Sequence, residues 1–188
     1  MLKAIKGSKT PNSIFGVPYL PNMHLNPVWK ANNIVEIDLP FPMRIAWDLS
    51  KTVHSIRVHV KVANSFKQAF SAIWSKARYI VKQKHGFEHS TEFYDTEALK
   101  LLRELNLDLF AGAFEFRKMK GSNSLSYHSY GIAVDIDSAH HGQGNVTATF
   151  PEWYIECWTT QGFTWGGNWS GKKRDSMHFE KTKIPKVT

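Results

Sequence analysis

Ser126-Tyr127-His128-Ser129-Tyr130-Gly131-Ile132-Ala133-Val134-Asp135-Ile136-Asp137 is the stretch that decides the fold. Its second half alternates, with Ile132, Val134 and Ile136 on one face and Ala133, Asp135 and Asp137 on the other, which predicts a strand with one side in the core. Its first half places His128 in a turn, and Gly131 lets the chain bend close behind it. About forty residues further on, Asp175-Ser176-Met177-His178-Phe179-Glu180 adds a second imidazole and ends in a further strand candidate around His178–Glu180. His128, Asp135 and His178 are residue types that zinc takes as three protein ligands in catalytic sites, with a fourth position left for water. Ala133 beside the carboxylate leaves space for a metal and a substrate.

Outward from this stretch, the pattern predicts an α+β chain with helices segregated from a small, mostly antiparallel sheet. Residues 112–118 alternate, with Phe114 and Phe116 opposite Glu115 and Arg117, and so do residues 54–60, with Ile56, Val58 and Val60 opposite Ser55, Arg57 and His59. Shorter strand candidates lie at Ile34–Asp38 and Met43–Trp47, separated by Pro40 and Pro42. A long helix is predicted from a Ser65/Gln68 capping box to Gly86, a second from near Asp95, and a third from a Thr149/Glu152 capping box to Gly162. Residues 1 to about 33, rich in Pro, Asn and Gly, read as an irregular arm whose Ile14, Phe15, Tyr19, Leu20 and Trp29 lay it on the domain. One domain spanning 1–188 is expected, with the arm and short strands at 1–60 and the catalytic region at 63–181.

Composition narrows the function. The 188 residues are 42% hydrophobic and 21% charged, with seven Trp, twelve Phe and a formal charge of +8, which favours an anionic partner such as nucleic acid, acidic membrane or bacterial wall. No helix-turn-helix, zinc-finger or RNA-recognition signature accompanies the charge, so a basic binding module explains less than a metal site does. Cys157, the one cysteine, reads as a small buried hydrophobe in the third helix. No apolar run reaches a membrane span. Met1–Lys9 has charge without an apolar core, so no signal peptide is expected. The expectation is a monomer made in the cytoplasm, for which any work outside the cell needs another exit route.

The chemistry divides among named residues. Bound zinc makes hydroxide available near neutral pH. Asp175, three residues before a ligand, is placed as the general base that passes the proton to the leaving amine. Arg117, on the polar face of its strand, is placed as the cation that holds the oxyanion. Trp165 and Trp169, with Trp153 and Trp158, offer a wall for substrate. His140-His141 reads as a loop pair at the cleft, and His85 and His89, separated by Gly86, read as a helix end and not as a second metal site. Singly, each residue has a plain reading: a surface pair, a solvated acid, an arginine paired with Glu115. Jointly they define one site.

Ser126, His128, Gly131, Ala133 and Asp135 fit the pattern S-x-H-x-x-G-x-A-x-D, which resembles the signature of the LAS-type zinc peptidases, and Trp165-Gly166-Gly167 with Asp175 and Met177–Glu180 resembles that family's closing motif. The family includes D-alanyl-D-alanine carboxypeptidases and the L-alanyl-D-glutamate endopeptidases of phage endolysins. The resemblance implies one zinc held by His128, Asp135 and His178, Asp175 as base, Arg117 as the carbonyl-polarising cation and Ser126 as a support for site and substrate. Family members often carry a Gln soon after the Arg, which residues 118–124 lack, and several have Glu where this chain has Asp175. It implies a peptidoglycan stem peptide as substrate, with no nucleic acid partner. The endolysin-type cut is preferred, and terminal D-Ala–D-Ala cleavage is the alternative.

Overall fold

A computed structural model describes residues 10–184; the Met1–Lys9 reading falls outside them. The order is α1 (Pro11–Phe15), α2 (Pro27–Asn33), β1 (Ile34–Ile45), β2 (Asp48–His59), α3 (Ala63–His85), α4 (Thr91–Glu104), β3 (Leu109–Gly112), β4 (Ala133–Ile136), α5 (Glu152–Thr159), β5 (Thr164–Trp165) and β6 (His178–Glu180). The six strands form one sheet in the order β2-β1-β3-β4-β6-β5, antiparallel at every pairing except β1 with β3. The α+β expectation holds.

Several local expectations change. Pro40 and Pro42 do not split β1: they sit in a bulge where β1 advances from Asp38 to Met43 while β2 steps only from Ser55 to Val53. Proline is tolerated at such a bulge because the ladder makes no use of its missing N–H there. The arm is not irregular throughout. Thr10 and Asn26 cap α1 and α2, and Pro11 and Pro27 occupy their first turns, the position where a missing N–H costs nothing. Its Phe15 and Trp29 are buried, and their rings pack against His59, which is wholly buried instead of lying on a polar strand face. Val60, past the end of β2, is exposed.

Neither predicted capping box forms at α3 or α5, which start after Val62 and Pro151 without a side-chain cap. α4 begins four residues before Asp95, with the Ser90 hydroxyl accepting the Phe93 N–H. β3 lies three residues upstream of the predicted 112–118 strand. A buried fork explains its position: Arg44 Nε and Nη2 donate to the Asp108 carboxylate at 2.7 and 2.6 Å, fixing the end of β1 to the start of β3.

The core lies between the sheet and α3 and α5. Phe66, Phe70, Trp158, Phe163 and Phe179 interlock, with ring centroids 4.7–5.0 Å apart for Phe66–Phe163, Phe70–Trp158 and Trp158–Phe179. Such edge-on and offset contacts add to area burial. Cys157 is buried in the same layer, which pushes its thiol up to about 11 and makes it an inert hydrophobe. Phe179 points inward from β6, so strand alternation turns its neighbours His178 and Glu180 to the other face.

Gly131 ties this frame to the site. Its φ is +67°, and a Cβ would lie 2.8 Å from both His59 N and Ile34 Cδ1. Its carbonyl accepts the His59 N–H at 2.8 Å. Gly131→Ala is therefore expected to cost about 2 kcal/mol or more through backbone strain and displaced neighbours, read as a lower midpoint in denaturant unfolding.

Candidate metal centre

Three elements deliver the three donors. β4 pairs antiparallel with β6 so that Asp135 lies directly opposite His178. His128 comes from the one-turn 3₁₀ segment Tyr127–Tyr130, opened by Ser126, whose hydroxyl accepts the His128 N–H, and closed by Gly131 in the left-handed conformation. The turn is held against residues 113–117: Glu115 N–H donates to His128 C=O, and Ser129 Oγ accepts the Arg117 N–H at 2.9 Å.

His128 Nε2 is 3.3 Å from His178 Nδ1 and 3.1 Å from Asp135 Oδ2, and His178 Nδ1 is 2.8 Å from Asp135 Oδ1. A tetrahedral zinc with bonds of about 2.0–2.1 Å has ligand-to-ligand edges of about 3.3 Å. The two imidazole nitrogens are thus spaced as two corners of such a site, and each has an Asp135 oxygen within 3.1 Å. All three residues are buried.

The outer nitrogens are already satisfied. His128 Nδ1 donates to Ala113 C=O at 2.6 Å, and His178 Nε2 donates to the Glu180 carboxylate at 3.2 Å. Those bonds set each ring's tautomer and turn a lone pair inward, the arrangement metal-binding histidines use. Two imidazole lone pairs and a carboxylate then converge on one point, which demands a cation. The donor set and its spacing fit zinc.

Without metal, a proton does the cation's work. Burial disfavours charge on His178, yet hydrogen bonds to Asp135 and Glu180 outweigh it and push the imidazole up to about 10. Burial likewise opposes ionisation of Asp135, but hydrogen bonds from His128 and His178 hold its carboxyl well below the usual range. Zinc must displace the His178 proton, so its affinity is expected to rise about tenfold per pH unit between pH 6 and 8. Competition with a chelator at several pH values, and about one proton released per zinc in calorimetry, are the checks.

Asp175 lies beside this centre. Its N–H donates to Gly166 C=O at 3.0 Å, and a Cβ on Gly166 would fall 2.4 Å from the Asp175 carbonyl oxygen, so the Trp165-Gly166-Gly167 run exists to let this loop approach. Asp175 Oδ1 is buried with no hydrogen-bond partner among the described residues. Burial, then repulsion from Asp135, pushes this carboxyl up to about 6, against the pull of His178, His128 and Arg117. An unpaired carboxyl near neutrality beside a metal site is equipped to exchange protons.

Arg117 is half-exposed and pairs with Glu115 at 2.9 Å, the plain partner its sequence neighbours suggest, while its charge still reaches Asp175. Ser126 is buried, its hydroxyl spent on the His128 turn. Trp169 packs by the His178 ring, 5.6 Å between centroids. Trp165 departs from the expected substrate wall: its indole is 6% exposed and its Nε1 donates to Ser176 C=O at 2.8 Å, so it braces the 175–178 loop from within. Trp158 is core as well.

His140 and His141 divide. His140 pairs with Asp137 at 2.7 Å from an exposed position, whereas His141 is buried, stacked 3.9 Å from Phe150 and 3.2 Å from Ser176 Oγ. His85 ends α3 and His89 stacks on Phe93, away from any metal cluster among the described residues. Two supports escaped the sequence: the Glu180 carboxylate and the Ala113 carbonyl. The His-x-Glu spacing on a strand was a usable signal for the first; nothing local marks the second.

Residues 120–181 match a family model described as D-alanyl-D-alanine carboxypeptidase, a span that includes His128, Asp135, Asp175 and His178 and begins just after Arg117. No curated protein and no solved structure shows a match to the chain.

Proposed function

Since residues 120–181 of this zinc metallopeptidase match the family model described as D-alanyl-D-alanine carboxypeptidase, we propose that it hydrolyses the stem peptides of bacterial peptidoglycan, with His128, Asp135 and His178 as its metal ligands. The observation that carries this reading is the convergence of two imidazole lone pairs and a carboxylate, with an unpaired Asp175 oxygen beside them. When bound, zinc supplies Lewis acidity and brings the pKa of a water down to about 7. Asp175 Oδ1 accepts the proton of the attacking water and returns it to the leaving amine. Arg117, anchored at its N–H by Ser129, supplies positive charge where the carbonyl oxygen becomes an oxyanion. Glu180 and Ala113 keep both imidazoles aimed.

The cleavage point proposed is the L-Ala–D-Glu bond, as in a phage endolysin. Supporting it, two hollows border residues that hold or belong to the His128 turn. One, of about 630 Å³, runs along Phe110–Glu115; the other, of about 410 Å³, is lined by Tyr127, Tyr130, Tyr19 and Asn12. Chain on both sides of the scissile bond needs such room. Trimming of terminal D-Ala is the second reading, favoured by the description of the matching family. The enzyme acts as a monomer with one zinc, and its charge of +8 suits the anionic wall.

Mass spectrometry of purified peptidoglycan after incubation with zinc-loaded protein, against a chelated control, decides. Fragments with a new amino terminus at D-Glu are expected. Loss of terminal D-Ala alone would establish the carboxypeptidase, and no chelator-sensitive product would overturn the wall-substrate reading.

A further inference from the structure

His141, one of the two adjacent histidines in the loop after β4, is a buried imidazole for which the reaction described above has no use. Its contacts converge on the short turn Asp175–His178. Its main-chain carbonyl accepts the Met177 N–H at 3.2 Å, and its Nδ1 lies 3.2 Å from Ser176 Oγ. Nε2 lies 3.9 Å from Asp137 Oδ2, and a carboxylate on that side favours the tautomer with its proton on Nε2. Nδ1 is then an acceptor, and the Ser176 hydroxyl donates to it. The other acceptor in reach, His141 C=O at 3.4 Å, is farther and already takes the Met177 N–H. Burial holds the imidazole below its ordinary value against the pull of Asp137, so the ring keeps that lone pair at neutral pH.

Ser176 and Met177 are the two residues between the proposed base and the ligand His178, and only Ser176 has a polar side chain. It is wholly buried. The main chain here is tied elsewhere: Asp175 N–H donates to Gly166 C=O, the Trp165 indole to Ser176 C=O, and Ile136 N–H to Met177 C=O. Ser176 Oγ adds the turn's side-chain anchor, and His141 receives it. Asp175 Oδ1, by contrast, is buried with no partner among the described residues. A carboxylate gripped by nothing takes its aim from the turn that carries it.

We propose that His141 is a positioning residue, whose Nδ1 accepts the Ser176 hydroxyl and so holds Asp175 in place beside the metal centre. Its consequence for catalysis rests on the peptidase reading above. A displacement of about 1 Å can cost on the order of 10²-fold in rate, so a brace one residue from the base matters although it touches neither metal nor substrate.

The His141 ring also stacks on Phe150, 3.9 Å between centroids, and two variants separate packing from positioning. His141→Phe keeps the stack and loses Nδ1; His141→Asn loses the stack and keeps an acceptor in the place of Nδ1. The assay uses zinc-loaded protein and a soluble stem pentapeptide, which carries both candidate bonds. His141→Phe is expected to lower kcat at least tenfold with KM and zinc content unchanged. His141→Asn is expected to melt lower yet keep kcat close to that of the unsubstituted protein. Ser176→Ala is expected to match His141→Phe, and the two together to cost no more than either. In an Asp175→Asn background, His141→Phe is expected to cost nothing further. Amide exchange gives a reading that needs no substrate: Met177 N–H is expected to exchange at least tenfold faster in His141→Phe and not in His141→Asn. Full kcat in His141→Phe, loss of its zinc, a further loss on top of Asp175→Asn, or unchanged Met177 exchange would overturn the positioning role. Faster exchange in His141→Phe, with no pentapeptide cut by the unsubstituted protein, would overturn the peptidase reading and leave the brace standing.

Discussion

His128→Ala is expected to leave the protein without a stoichiometric zinc and to lower wall-peptide hydrolysis on the order of 10³-fold or more. Losing an outer-shell partner of a zinc ligand costs about 10–100-fold in affinity or activity, and losing one of three donors exceeds that. Two residues remain, His178 and Asp135, already 2.8 Å apart and able to satisfy each other around one proton. Removal of the ring also orphans the Ala113 carbonyl, so some stability is lost; a far-UV spectrum separates unfolding from demetallation. Glu180→Gln gives the graded comparison: zinc still binds at one per chain, with affinity lower by about 10–100-fold. Metal content by elemental analysis reads the first and competition with a chelator the second, and full zinc occupancy in His128→Ala would remove that residue from the ligand set.

Asp175→Asn is expected to reduce kcat/KM by about 10²–10⁴, the usual contribution of a positioned acid–base group, while zinc content stays at one per chain. The pH profile discriminates further. A general base works ionised, so activity of the unsubstituted enzyme rises with pH through the titration of this carboxyl, which burial and Asp135 push up in the metal-free protein and a bound cation draws back down. The residual activity of the variant lacks that acidic limb. Stability moves the opposite way. A carboxyl raised above its unfolded value favours the folded state only while protonated, and that contribution is lost between the ordinary carboxylate range and about pH 6. The metal-free variant is therefore expected to melt higher than the unsubstituted protein at pH 7.5. Retention of full activity would reassign the base.

What the sequence made legible was the part governed by short-range rules. Alternation over 131–137 and around His178 places Asp135 and His178 on one face and Val134 and Phe179 on the other, as the β4–β6 register shows. Gly131 announces the turn that carries His128. Long-range compensation was not legible. β1 continues through Pro40 and Pro42 because β2 absorbs the mismatch as a bulge, and His59 becomes buried because α1 and α2 fold over it. The Ser65 and Thr149 capping boxes look complete in sequence, yet α3 and α5 begin where tertiary packing starts them. Trp165 shows why aromatic content alone misleads: its indole N–H is used internally, on Ser176, and its face on Phe179.

The central claim is that one zinc sits between His128, Asp135 and His178. Crystals grown with zinc and measured on both sides of its absorption edge test it most directly. One anomalous peak about 2.0–2.2 Å from His128 Nε2, His178 Nδ1 and an Asp135 oxygen, with Asp175 close by but uncoordinated, is the expected result. A peak elsewhere, or none in protein that retains its zinc-dependent activity, would contradict it.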